Sequence, residues 1–223
     1  SRARSPLCFR GETHSMASYH GPKAKQQRRF GEVLVPRQKY QKIVEKRPYP
    51  PGDHGKEKQY RSGRRSNYGL QLDEKQKLSF VYNVRERQLR NYYKKADQMP
   101  GRTGENMLIL LERRLDNVVF RSGFAATIWA ARQIVGHGHI EVNGKRVDLP
   151  SYQVKPGDVV SVREKMKKNA HIMELIQQGM NPPIYISANP DNFSATFLRV
   201  PEQKEIPVTV DIQLVVEYYN RLT

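Results

Sequence analysis

The segment Arg114–Glu164 leaves this chain few ways to fold. Two short helical patterns, the first stopped by Gly123 and the second by Gly136, run into GHGHIEVNGKRVDLPSYQVKPGDVVSVRE. His139–Val142 alternates as a strand does, and Asn143-Gly144 follows at once. A two-residue type I′ turn needs two residues tolerant of positive φ, which Asn-Gly supplies. Lys155-Pro156-Gly157-Asp158 is a second turn, delivering the chain into a strand at Val159–Val162. Thr127 is placed to cap the second helix, so the segment reads as a helix–helix–β-hairpin unit.

On either side the apolar spacing is mostly helical. Residues 72–96 form a helix in two pieces, interrupted at Asn83. Leu72, Leu78 and Val81 share a face in the first piece. In the second, Leu89 and Tyr93 turn inward while Arg87, Arg90 and Lys94 face out. After the break at Met99-Pro100-Gly101, Thr103 is the expected N-cap, with Glu105 in the first turn. Met107, Leu108, Leu111, Leu115, Val118 and Val119 then predict one helix running on to Gly123. Downstream, a short helix over 169–178 with Asn169 as its cap precedes a β-hairpin built from Ile184–Ser187 and Ala195–Val200. Asp211–Arg221 closes the pattern as an amphipathic helix with Leu214, Val215, Tyr218 and Leu222 apolar. The fold class is α+β, without an internal repeat.

Charge narrows the function. Lys and Arg number 39 against 22 Asp and Glu, a formal net charge of +17. A chain this basic meets a polyanion or keeps a basic surface for solubility. The distribution favours the polyanion: residues 1–100 carry 24 basic and 9 acidic side chains, whereas residues 169–223 carry 3 and 6. The single cysteine, Cys8, excludes an intramolecular disulfide and a cysteine-based zinc site. No run approaches the roughly 18 apolar residues of a membrane span. Residues 1–15 lack the apolar core of a secretory signal. MASYHGPKAK, from Met16, reads like a natural start, which makes residues 1–15 an extension, with a transit-peptide remnant as the alternative.

Residues 16–70 are polar, basic and rich in turn signals such as Tyr49-Pro50-Pro51-Gly52-Asp53-His54-Gly55. Such a segment buries too little apolar surface to offset its ordering entropy, so it is expected to be ordered mainly by what it binds. A plain disordered tail is the alternative. Candidate RNA contacts here are Arg28, Arg29, Lys46, Arg47 and His54, then Arg61, Arg64 and Arg65 in the loop QYRSGRRSNYG. Lys75, Lys77, Arg87 and Arg90 continue the series on the helices. In the helix–hairpin unit, folding is expected to gather Arg114, Arg132, Gln133, His137, His139, Asn143, Lys145 and Arg146. Arg and Lys supply charge for phosphates, and Gln and Asn supply hydrogen bonds for sugar or base edges. A helical surface with clustered Arg suits RNA read by shape and backbone.

Other chemistries find less support. His137 and His139 lack a third ligand of suitable spacing, so no metal is expected. Neither GxSxG, nor a phosphate-binding glycine loop, nor paired carboxylates in a pocket context is present. Trp129 reads as core or as a protein contact, with base stacking as the alternative.

GPKAK, RPYPPGDHG, LDEKQKL, RERQLRNYYKKA, LLERRLDNVVFRSGF, AARQIVGHGHIEVNGKRVDLPSY, KPGDVVSVRE and VVEYYNR occur in this order between Ala17 and Leu222. In that order and combination the chain resembles the family of bacterial-type small-subunit ribosomal protein four, from which the helix–hairpin RNA-binding module takes its name. The resemblance implies a mainly helical first domain completed by the C-terminal segment, with the module inserted between. Applied here, 1–15 is an extension and 16–60 a basic arm. Residues 61–108 with 191–223 form the helical domain, and 109–190 form the module. The resemblance further implies binding to the 5′ domain of small-subunit rRNA at a junction of helices, early in assembly. A contact with ribosomal protein five, an influence on decoding accuracy, and a place in cytoplasmic ribosomes near where mRNA enters, with organellar ribosomes as the alternative, also follow from it, as does repression of the protein's own operon in some members. No cofactor and no homo-oligomer are implied.

Two departures matter. Many relatives bind zinc through four N-terminal cysteines, and Ala24, Gln27, Arg37 and Lys42 stand at the corresponding positions, which makes this a zinc-free version. Ile128 and Trp129 stand where relatives often have basic residues. Arg114-Leu115-Asp116 is similar to the catalytic triplet of pseudouridine synthases, some of which carry this module. Here it lies inside the module's opening helix and only 59 residues follow Glu164, too few for their catalytic domain. Asp116 is therefore expected to pair with Arg113 or Arg121. An RNA-modifying enzyme and a free-standing RNA-binding stress factor remain the rivals.

Overall fold

The computed structural model describes residues 19, 21–35, 37–60, 66–167, 170–177 and 181–222. The chain builds two hydrophobic cores, one helical and one formed by helices on a sheet. The helical core starts with α4 (Asn67–Val81) and α5 (Glu86–Asp97). Ser66 caps α4, its side chain accepting from the Gly69 amide. Between the two helices Asn83 adopts φ +50°, the left-handed conformation that asparagine tolerates, and so divides them. α6 (Thr103–Glu112) packs across α5 and contributes Met107, Leu108 and Leu111. The last helix, α11 (Ile212–Asn220), returns from the far end of the chain to lie on α4. Asp211 caps it, accepting from Gln213 N at 2.9 Å. Its Ile212, Val215 and Tyr219 fill the same core as Leu78 and Leu89. Each such side chain stabilises by about 1.5–3 kcal/mol on full burial.

The expected single helix from Thr103 to Gly123 is two. α6 ends at Glu112, and α7 (Leu115–Arg121) begins after Arg114. The break is held by the 150–154 segment: Leu115 N donates to Tyr152 O at 2.9 Å and Asp116 N to Pro150 O at 3.2 Å. Val154 N donates to Arg113 O at 2.8 Å, so the donors and acceptors freed at the break find partners outside the helix. Thr103 is the first residue of α6; Arg102 occupies the cap position without a side-chain bond.

α7 and α8 (Ile128–Gly136) lie against an antiparallel five-stranded sheet of order β2-β1-β3-β5-β4. The strands are β1 (Ile140–Val142), β2 (Lys145–Arg146), β3 (Val159–Val162), β4 (Ile186–Asn189) and β5 (Ser194–Phe197). Thr127 caps α8 as expected, its hydroxyl accepting from Ala130 N. Asn143 (φ +51°) and Gly144 (φ +76°) form the turn, with Val142 opposite Lys145. α9 (Glu164–Lys167) and α10 (Ala170–Gln177) follow; the expected cap Asn169 lies outside the described residues. The fold is α+β, with a helical part completed by the C-terminal segment.

The expected domain limits shift. The limit at 108/109 would divide α6, whose residues stay in the helical core; the two cores part at Arg113–Arg114. The limit at 190/191 would divide the β4–β5 hairpin, but β5 pairs with β3 and puts Ala195 and Phe197 into the module's core. The arm is also more structured than its composition predicts. α1 (Lys23–Phe30), α2 (Gln38–Lys46) and α3 (Gly55–Tyr60) form on it. Polar and aromatic contacts replace the missing apolar burial. Tyr19 N donates to Asn83 Oδ1, and the Tyr19 ring meets Phe80 edge-on at 5.9 Å. Lys77 reaches Glu32 at 2.7 Å. Gln27 is fully buried, its Oε1 accepting from Val35 N.

Candidate RNA-binding interface

The two arginines that head the module's candidates serve another purpose. Arg114 is 2% exposed and Arg132 7% exposed, and Asp116 between them is fully buried. Arg114 donates Nε and Nη2 to the two Asp116 oxygens at 3.0 and 2.7 Å. Arg132 donates the same pair of nitrogens to Asp116 Oδ2 at 3.0 and 2.7 Å. Arg114 Nη1 also donates to Tyr92 Oη at 2.7 Å, and Arg132 Nη1 to the Asn83 carbonyl. A carboxylate taken wholly out of water must be paired, and here the pairing consumes both cations. Burial lowers the Arg114 guanidinium, but Asp116 outweighs it, so the net shift is upward. Arg114 and Arg132 therefore join module to helical domain rather than face a ligand. Asp116 pairs with these two, not with Arg113 or Arg121. With both its oxygens occupied, it offers no catalytic carboxylate.

Arg121 goes instead to Glu112, the other fully buried carboxylate, at 3.0 Å. Tyr82 Oη donates to Glu112 at 2.6 Å from the helical core, and Tyr185 Oη at 2.9 Å from the module. Burial, then the Glu112 charge, raises both phenols. Arg113 Nε donates to the Val154 carbonyl at 2.9 Å.

Lys75 and Lys77, also expected as contacts, are 8% and 5% exposed. Lys75 pairs with Glu86 at 2.6 Å and lies over Tyr218, which fastens α4 to α5. Lys77 fastens α4 to the arm. Arg28 donates to the carbonyls of Arg47 and Tyr49 and stacks on Tyr49, so it builds the turn rather than projecting from it. Asn143 spends its carboxamide on Asp158 and Val159 N, which fixes the hairpin to the neighbouring turn.

The remaining candidates stay at the surface. Lys46, Arg47, Arg87, Arg90, Gln133, His137, Lys145 and Arg146 are exposed and make no ion pair among the described residues. Arg29 is exposed beside Asp73, His54 is exposed 3.4 Å from Glu57, and half-buried His139 meets the His137 ring edge-on. Gly138 (φ +69°) lets Arg146 lie across it; a Cβ there would come within 2.3 Å of the guanidinium. Arg61, Arg64 and Arg65 lie outside the described residues. Sequence reasoning passed over Lys95 and Lys155, both exposed. Helical spacing marked the first: Asn91 and Lys95 continue, four and eight residues on, the face that Arg87 opens.

Trp129 packs at 5.3 Å from Phe80 and carries Lys23 Nζ over its ring at 4.1 Å, so it clasps the arm. Burial, then Arg37 and Lys39, lowers the Lys23 ammonium. Among the described residues no group of His, Cys, Asp and Glu could hold a metal ion. No helix among them is long and apolar enough to cross a membrane.

Residues 18–112 match the family model of the ribosomal protein S4/S9 N-terminal domain, and residues 113–160 match that of the S4 domain. The boundary between the matches coincides with the break between α6 and α7. Small ribosomal subunit protein uS4 of Geobacillus kaustophilus is 47% identical over 206 residues, 92% of this chain and 100% of the relative. Its namesake in Chlorobium limicola is 46% identical over 208 residues, with the same coverage. That of Mesoplasma florum is 47% identical over 208 residues, covering 93% and 99%. Identity near one half, sustained across the helical part and the module alike, shows that the chain belongs to the uS4 family of small ribosomal subunit proteins.

Proposed function

We propose that this protein is a structural, non-enzymatic constituent of the small ribosomal subunit that binds its rRNA directly. One observation carries the reading. The buried Arg114 and Arg132 are matched by the buried Asp116 carboxylate, whereas exposed cations on α5 and on the β1–β2 hairpin make no ion pair among the described residues. Arg87, Arg90, Lys94 and Lys95 lie on one domain and Lys145 and Arg146 on the other, so one RNA would be held from both. The relatives' name and the S4 RNA-binding module point to the same polyanion.

The finer reading rests on the resemblance. The RNA is the 5′ domain of small-subunit rRNA, bound early in assembly in the cytoplasm. In the finished subunit the protein touches ribosomal protein five, lies near incoming mRNA and influences decoding accuracy. The test is filter binding of the protein to the 5′ domain across a salt series, with an unrelated structured RNA of equal length as competitor. Competitor-resistant binding with a log–log slope steeper than about −2 supports the reading. Equal affinity for both RNAs sinks it and reopens the free-standing factor. Modification of rRNA uridines by the purified protein would decide for the enzyme.

A further inference from the structure

Where α5 of the helical domain meets the 148–154 segment of the module lies a cleft of about 230 Å³. Gln88, Asn91, Tyr92 and Lys95 line it from α5, and Ser151 and Gln153 from the module, over an apolar floor at Leu110. Three properties set it apart from an ordinary crevice. Gln88, Asn91, Lys95 and Ser151 are exposed, and none of their side chains makes a hydrogen bond or ion pair among the described residues. Gln153 donates Nε2 to the Leu110 carbonyl at 3.2 Å, which leaves its buried Oε1 without a donor. An unmatched buried acceptor is unfavourable until a donor reaches it. Tyr92 is held rigidly: its hydroxyl accepts from Arg114, and the guanidinium covers its ring at 5.6 Å.

We infer that this cleft is a nucleotide subsite that takes one unpaired base of the bound rRNA. The inference rests on the RNA-binding reading and specifies it. Small-molecule pockets usually span roughly 300–1,000 Å³, so this volume suits one ring system rather than a whole cofactor. RNA presents such rings where bases leave the stack, and proteins receive them on aromatic or guanidinium planes. Tyr92 supplies the plane. The carboxamides of Gln88 and Asn91 each offer a donor beside an acceptor, the complement of a base edge. Lys95 at the rim meets the backbone phosphate that accompanies the base. The Asp116–Arg114–Tyr92 chain then positions the wall of this subsite, which gives the buried pair a part in recognition without contact.

The experiment compares the full chain with Asn91→Ala, Ser151→Ala and the double variant, binding the 5′-domain rRNA across a salt series with base-specific chemical footprinting. Neither side chain makes a hydrogen bond among the described residues, so the variants keep the fold, which thermal unfolding verifies. The double variant is expected to lose on the order of tenfold in affinity with an unchanged salt slope, because no charge is removed. A base edge protected by the unaltered protein regains reactivity. Unchanged affinity, or a loss without change at any base, overturns the subsite while leaving phosphate binding intact. If the unaltered protein fails to prefer the 5′ domain, the RNA reading falls and the subsite with it.

Discussion

Arg114 with Arg132, and Lys145 with Arg146, are two pairs of cations on one module, equally basic in sequence and opposite in fate. The first pair is almost wholly buried around Asp116 and ties the module to Asn83 and Tyr92. The second lies exposed on β2 with no acidic partner among the described residues. The difference lies in the nearest carboxylate. Where one is buried, cations are drawn in to neutralise it. Lys145 and Arg146 meet none, and they remain in water and keep their charge for a ligand.

Removing Arg132 tests that contrast most severely. Arg132→Ala leaves Asp116 with one cation and frees the Asn83 carbonyl, and is expected to cost ~3–5 kcal/mol of stability in urea unfolding. A loss under about 1 kcal/mol would mean that the joint does not depend on the pair. The hairpin should behave in reverse. Lys145→Ala and Arg146→Ala leave the unfolding midpoint unchanged. Each weakens rRNA binding by about 1–3 kcal/mol and makes the log–log salt slope shallower by about one. A shift of the unfolding midpoint would erase the distinction between the pairs.

Alkaline titration sharpens the comparison from the other carboxylate of the joint. Tyr82 and Tyr185 are raised above the ordinary phenol value of 10.0. A raised folded value favours the neutral phenol, so the stability it contributes is full below pH 10 and declines above it. The expected decline is roughly 1.4 kcal/mol per pH unit for each phenol. Urea unfolding at stepped pH, with tyrosinate absorbance, reads it. Phenols that ionise while the protein stays folded would show the joint to be loose. The smallest effect expected is at the turn: Gly144→Ala, at φ +76°, should cost about 1 kcal/mol and lower rRNA affinity only as far as it displaces Lys145.

The readable parts of this fold were the local ones. Asn143-Gly144, the Thr127 cap and the split at Asn83 each follow from one residue's own conformational or hydrogen-bonding preference. The α6–α7 break was not readable. Leu108, Leu111, Leu115 and Val118 keep helical spacing straight through it, and the partners that hold it open come from residues 150–154. The same holds for the candidate site. The exposed cations of α5 and the hairpin could be named from spacing, while burial of Arg114, Arg132, Lys75 and Lys77 depends on carboxylates placed by tertiary structure. The arm misled because its docking is polar and aromatic, and Gln27, Lys77 and Trp129 bear no mark of it in sequence.

Because α11 belongs to the first domain, that domain cannot be finished in the order in which it is made. Gln71 bonds Glu217, and Tyr93 bonds Asn220, 146 and 127 residues apart. During synthesis α4, α5 and α6 emerge with one flank of their core bare, while the module, whose sheet needs only residues up to Phe197, can close ahead of them. The helical core therefore closes only across a long loop. A nascent chain interrupted before Asp211 would hold a complete module on an open helical half, able to meet RNA through one surface but without the helix that seals the other.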